Sequence, residues 1–216
     1  MTIGKIKKVI EKCVIYDKIS WNTFLMGGSR KVKETLFCMT KDIRAVLIYY
    51  PAAVMTGFIG MLVYAMICKK ICHRIEKGRM VAAFLFFTYV IMLLNITYFS
   101  REPGSRSRLD LQLFSTWDAW PQSRAYFVEN ILLFLPFGCF LPIVWPQAEN
   151  VLTLALSACM ISIGIEMAQY ITGRGYSQLD DIVTNTAGAV IGYLLFFITA
   201  KIIRLSRKRK EYRGKT

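Results

Sequence analysis

Charge is scarce in this chain, and what charge there is gathers in blocks. Only 19% of the 216 residues are Asp, Glu, Lys or Arg, while 55% are hydrophobic and 13% aromatic. Soluble domains carry about 25% charged residues spread over their surface, so long neutral runs with basic punctuation point to a polytopic membrane protein rather than a large soluble core. Histidine is nearly missing. The single one, His73, lies in a basic stretch between two apolar runs. There is no Gly-x-Ser-x-Gly elbow and no His-Glu-x-x-His zinc pair. The six cysteines are scattered, with Cys139 and Cys159 inside apolar runs, and nothing suggests a disulfide framework. Cys68, Cys72 and His73 share helical spacing, but two thiols and one imidazole make a weak metal signal and read as ordinary juxtamembrane residues. No metal and no cofactor is expected. A cleavable signal peptide is not evident either, because its apolar stretch would have to span residues 9–19, which include Glu11, Lys12, Asp17 and Lys18. No fixed-period repeat runs along the chain.

What is present is a set of five apolar runs: Ala45–Ile67, Met80–Phe99, Asn130–Trp145, Val151–Thr172 and Ile182–Ala200. A bilayer core of about 30 Å needs roughly 20 helical residues. Four runs meet that length, and the third does once Tyr126–Glu129 forms its interfacial end. The net charge of +14 is explained by basic segments lying against anionic headgroups, and no nucleic-acid partner is expected.

Lys/Arg excess marks cytoplasmic loops. Lys69, Lys70, Arg74, Lys77 and Arg79 separate the first two runs, and Lys201, Arg204, Arg207, Lys208, Arg209, Lys210, Arg213 and Lys215 follow the fifth. Placing both blocks inside makes the C-terminus cytoplasmic and turns the Ser100–Ala125 loop and the Gly173–Asp181 turn outward. Residues 1–44 then fall outside, although they hold ten Lys/Arg from Lys5 to Arg44. Two explanations compete. Ile3, Ile6, Ile10 and Cys13 line an interfacial basic helix, or translation starts at Met39, which is the preferred reading.

Polar residues inside the last two runs are the strongest functional signal. An ionisable group at the centre of a spanning helix costs roughly 2.5–3.5 kcal/mol on insertion scales and usually faces a bundle interior. Ser162, Glu166 and Gln169 fall at i, i+4 and i+7, on one helical face. Asp181, Asn185, Gly188 and Gly192 do the same in the next helix. The Gly188-xxx-Gly192 step admits close helix packing and is expected to bring the Asp181/Asn185 face against the Glu166/Gln169 face. Asp180 and Asp181 also suit helix capping. Arg174, between two turn glycines, has two readings: pairing with Glu166 or Asp180, or holding a ligand. Asn130 near the third run's outer end, with Arg101 and Arg108 from the outer loop, completes a candidate ligand set of Arg101, Arg108, Asn130, Glu166, Gln169, Arg174, Asp180, Asp181 and Asn185. Arginine and carboxylate together suit a zwitterionic or phosphorylated headgroup.

At these residues the sequence resembles the VanZ family. The likeness rests on Asn130-Ile-Leu-Leu-Phe-Leu-Pro-Phe-Gly138, on Ser162-Ile-Gly-Ile-Glu-Met-Ala-Gln169, and on Gly173-Arg-Gly-Tyr-Ser-Gln-Leu-Asp-Asp-Ile-Val-Thr-Asn-Thr-Ala-Gly188, with Phe99-Ser-Arg-Glu-Pro-Gly-Ser-Arg106 upstream. Where family members often show Asn-Leu-x-Pro-Phe in the first outer loop, this chain has Asp110-Leu-Gln-Leu-Phe114. The resemblance implies an envelope membrane protein akin to a factor that lowers susceptibility to the glycopeptide teicoplanin, with no settled reaction.

The expected fold is all-α: a polytopic membrane bundle of four core transmembrane helices plus one preceding hydrophobic helix. Residues 1–44 form a basic N-terminal segment, 45–79 the leading helix and basic loop, 80–200 the VanZ-like domain, and 201–216 a basic cytoplasmic tail. The expected role is binding of membrane lipid or a lipid-linked cell-wall precursor at an outward polar pocket. The alternative is a membrane enzyme using carboxylates on a polyprenyl-phosphate or related substrate. Lipid-phosphatase chemistry needing an outward histidine is excluded, since His73 falls on the cytoplasmic side. A membrane-protein partner or a homo-oligomer stays open.

Overall fold

The computed structural model describes residues 30–72, 76–104, 106–114 and 120–213. Among these residues six α-helices follow in order: α1 (Arg30–Val46), α2 (Tyr50–Cys72), α3 (Lys77–Leu94), α4 (Pro121–Val144), α5 (Val151–Thr172) and α6 (Leu179–Arg213). Two short strands, β1 (Arg106–Asp110) and β2 (Arg174–Gln178), precede α4 and α6. Five helical stretches among the described residues are long and apolar enough to cross a membrane, the first being Val32–Lys70, which runs through α1 and α2. The all-α bundle is as the apolar runs indicate.

Local chemistry sets the ends. Pro121 opens α4 at a position where its missing N–H costs nothing. Asn150 caps α5 by accepting the Leu152 N–H at 2.8 Å. The helix α5 stops at Gly173, whose φ of +63° is the left-handed conformation that glycine adopts without a Cβ clash. The helix α3 unwinds through a wide π turn, Asn95–Phe99, closed by Ser100 N–H on the Asn95 carbonyl at 2.9 Å. At 35 residues, α6 is about 52 Å long. It therefore outruns a bilayer core and carries its own basic residues, up to Arg213, past that core.

One core joins the helices. Phe134, Phe137 and Leu141 of α4 meet Leu93 of α3, Leu154, Ala158 and Ile165 of α5, and Ala189 of α6. The closest approach is between α4 and α6, and glycine makes it possible. A methyl group on Gly188 would strike the Ile131 carbonyl, one on Gly192 the Leu135 carbonyl, and one on Gly138 the Ala189 carbonyl. This corrects the expected partner of the Gly188-xxx-Gly192 step. The glycines seat α6 on α4, not on α5, because only the α4 backbone, itself relieved at Gly138, comes close enough to need them.

The loops sort to two ends. Tyr64 donates to the Val144 carbonyl at 2.9 Å and Tyr193 to the Glu149 carbonyl at 2.6 Å, which places the Pro146–Glu149 turn and the far part of α2 at one end. At the opposite end β1 and β2 pair in parallel, Arg106 opposite Arg174 through Asp110 opposite Gln178. The helix α1 lies at this ribbon end, against the first turns of α4: Gln122 donates to Asp42 at 2.6 Å and Arg124 to Thr35 at 3.4 Å. Residues 30–44 of the basic segment are thus part of a packed helix, and Met39 is buried within it. Ile3, Ile6, Ile10 and Cys13, read as an interfacial helix, lie outside the described residues, as does His73.

Candidate functional site

The polar faces of α5 and α6 meet just beneath the ribbon. Ser162, Glu166 and Gln169 are all buried on α5, as are Asp180 and Asn185 on α6. Buried polar groups must find partners or lose their solvation without return, and most here do. The Asn185 amide donates to Ser162 Oγ at 2.9 Å. One turn nearer the ribbon, Glu166 accepts the Gln178 N–H at 3.0 Å and is hydrogen-bonded to the Ser177 side chain. Asp181 is hydrogen-bonded to the Asn130 side chain of α4. Glu166 and Asp181 lie close enough for their like charges to interact.

Among the described side chains one cation acts on both carboxylates. Arg101 leaves the π turn and reaches over the cluster, where its guanidinium attracts Glu166 and Asp181. It donates to Gln169 Oε1 at 3.3 Å, and the Gln169 amide in turn donates to the Thr97 carbonyl at 2.8 Å. Gln169, only 1% exposed, thereby spends both ends on holding Arg101 to the end of α3. Gly175 keeps the path open, since a Cβ there would meet the Arg101 Nη1.

Two other candidates are occupied differently. Arg174 turns away from the carboxylates: its Nη1 donates to the carbonyls of Tyr98 at 3.1 Å and Arg101 at 2.8 Å. Its guanidinium carbon stands 4.6 Å from the Tyr98 ring centroid, a cation–π distance. Arg174 thus closes the C-terminal end of α3. Asp180 accepts the Phe114 N–H at 2.5 Å and so ties the outer loop to α6. The Arg108 backbone pairs with Tyr176 in the ribbon, and its side chain lies outside the described residues. The structure therefore gathers Arg101, Asn130, Glu166, Gln169, Asp181 and Asn185, while Arg174 and Asp180 hold the frame around them. Ser177 and Tyr98 were not singled out from the sequence. Ser177 sits within a quoted motif without any feature to mark it, and Tyr98 is one of many aromatics at a helix end.

A profile of the VanZ/LLP1 family matches residues 80–201, which contain this entire cluster. The chain belongs to the VanZ/LLP1 family. It is similar to Protein VanZ of Enterococcus faecium, at 27% identity over 74 residues, which cover 34% of this chain and 45% of that relative. The similarity thus spans less than half of the relative's length. No solved structure matches. With five apolar helices, this VanZ/LLP1 member is a multi-pass membrane protein. The family match begins at the fourth residue of α3, so α1 and α2 lie ahead of it.

Proposed function

We propose that this protein binds the headgroup of a membrane lipid or lipid-linked cell-envelope precursor at the ribbon end of the bundle, and that this binding underlies a role in glycopeptide tolerance of the kind its relatives' family implies. The observation that carries the reading is the action of the Arg101 guanidinium on both the buried Glu166 and the half-buried Asp181, with Gly175 leaving room for that guanidinium. Charged groups sunk at a bundle's end are costly, and packing alone gives no reason to gather two carboxylates there. The basic blocks at Lys69–Arg79 and after Ala200 support a cytoplasmic C-terminus and an outward ribbon. That orientation puts the cluster at the outer headgroup level.

The test is a deletion strain complemented with wild type, Arg101→Gln, Glu166→Gln or Asp181→Asn and scored for teicoplanin susceptibility at matched membrane expression. Wild type is expected to restore tolerance, and each variant to fail. Full restoration by all three variants removes the reading.

The Glu166/Asp181 proximity also favours a second reading, a carboxylate acid–base site acting on a polyprenyl-phosphate substrate. Turnover of such a substrate by the purified protein, abolished in Asp181→Asn, selects catalysis; saturable binding without turnover selects the first reading.

A further inference from the structure

Four side chains between α5 and α6 stand at the corners of a rectangle. Ser162 and Glu166 are one turn apart on α5, and Asn185 and Asp181 one turn apart on α6. Asn185 donates to Ser162 along the deep edge, and Glu166 and Asp181 lie close enough along the shallow one for their like charges to interact. Among the described side chains, donors and acceptors around this rectangle do not balance. Gln169 is used at both ends. Arg174 gives its Nη1 to backbone carbonyls on the far side, where its buried Nε has no partner among the described residues. Among the described side chains Arg101 is the guanidinium acting on both carboxylates, and it already donates to Gln169. The Asn185 Oδ1 has no partner among the described residues, although its side chain is only 3% exposed. That acceptor belongs to an amide bonded to Ser162, one turn along α6 from Asp181.

We infer that the site takes a primary ammonium group, the amine end of a headgroup, with its N–H donors going to Glu166, Asp181 and Asn185 Oδ1. This rests on the reading of the cluster as a headgroup site and names the chemistry that the site selects. An ammonium brings three donors and no acceptor, which complements two carboxylates and an unpartnered amide oxygen. A phosphate would set its oxygens against both carboxylates, with Arg101 alone among the described side chains to offset them. A trimethylated amine has the charge but no N–H to give the Asn185 oxygen. The amine has two possible sources, an aminophospholipid or a water-soluble amine such as an amino sugar, and the chemistry at the site is the same for both.

The test uses the full chain in phosphatidylcholine nanodiscs and measures binding of a fluorescent phosphatidylethanolamine. The competitors are phosphatidylcholine, N-acetylated phosphatidylethanolamine, phosphatidylglycerol, phosphoethanolamine, glucosamine, N-acetylglucosamine and magnesium ion. The free-amine lipid is expected to bind at least about tenfold more tightly than its N-acetylated form. Glu166→Gln and Asp181→Asn are expected to erase that preference without lowering the melting temperature. Competition by phosphoethanolamine or glucosamine, but not N-acetylglucosamine, supports the proposal with a soluble amine as source; competition by the lipid alone supports it with an aminophospholipid. Equal affinity for the amine and N-acetyl lipids, or tightest binding of phosphatidylglycerol, overturns the ammonium assignment while leaving the headgroup site standing. Displacement by magnesium irrespective of the amine overturns it in favour of a divalent cation. No saturable binding of any headgroup probe overturns both readings together. Should either variant fail to fold, the wild-type comparison of amine with N-acetyl lipid decides alone.

Discussion

The Asp180 carboxylate accepts the backbone N–H of Phe114 at 2.5 Å, joining the start of α6 to a loop residue 66 positions earlier. Phe114 has a φ of +61°, a conformation that non-glycine residues hold only when their surroundings enforce it. Asp180, 2% exposed, supplies that enforcement. Asp180→Ala is expected to release the segment 106–114 and to destabilise the protein by about 1.5–3 kcal/mol, the range for a hydrogen bond to a charged group. Hydrogen exchange checks the first part, with faster exchange expected in 106–114 and little change in α4. Unchanged protection of that segment would remove Asp180 from the role of loop anchor.

Glycines of the same sequence neighbourhood should respond in opposite ways. A methyl on Gly192 meets backbone, the Leu135 carbonyl, which cannot swing aside, whereas a methyl on Gly175 meets the tip of a flexible Arg101 side chain. Gly192→Ala is therefore expected to cost about 1–3 kcal/mol through forced separation of α4 and α6. Gly175→Ala should leave thermal stability near wild type and, on the proposed function, reduce teicoplanin tolerance by displacing Arg101. Gly164→Ala, with nothing within 4 Å of its added carbon, is the control and should change neither. Thermal melts in detergent beside susceptibility assays separate the three.

The spans were legible because a bilayer accepts only long apolar helices whose backbone bonds are satisfied within the segment. The polar cluster was legible for the same reason in reverse: Glu166 and Asn185 stand out against an otherwise apolar background, and helical spacing assigns each to a face. The parallel ribbon was not. Its strands are 68 positions apart, and Arg106-Ser-Arg-Leu-Asp110 shows no alternation of apolar and polar residues to mark a strand. Nor does a small-residue step say which neighbour it admits, so Gly188 and Gly192 pointed to close packing without naming α4. For Arg174 the sequence offered carboxylate partners, because carbonyl acceptors at a helix end leave no trace in residue identity.

Arg174 is expected to tolerate lysine poorly. Its Nη1 bridges two carbonyls while the guanidinium plane lies near the Tyr98 ring. A lysine ammonium is a compact point charge that cannot keep the bridge and the stacking together. Arg174→Lys should lower stability by about 1–2 kcal/mol. Tyr98→Phe, which keeps the ring, should stay close to wild type, and Tyr98→Ala should approach the lysine variant. A lysine variant as stable as wild type would mean that charge alone holds the end of α3.

The Asn185–Ser162 bond gives the most direct measure of how tightly α5 and α6 are coupled beneath the site. Deleting one partner leaves the other buried and unsatisfied, while deleting both leaves an apolar contact, so the single changes should cost more together than the double change does. For Ser162→Ala, Asn185→Leu and the pair, a coupling of about 0.5–1.5 kcal/mol is expected, near the values found for helix–helix hydrogen bonds in membranes. The Asn185 Oδ1 sharpens the outcome. That oxygen has no partner among the described residues, so Asn185→Leu removes an uncompensated acceptor along with the bond and should destabilise less than Ser162→Ala, which strands the amide N–H as well. Equilibrium unfolding in mixed micelles would settle the order, and a reversed order would mean that the oxygen is satisfied in the membrane by something the bundle itself does not supply.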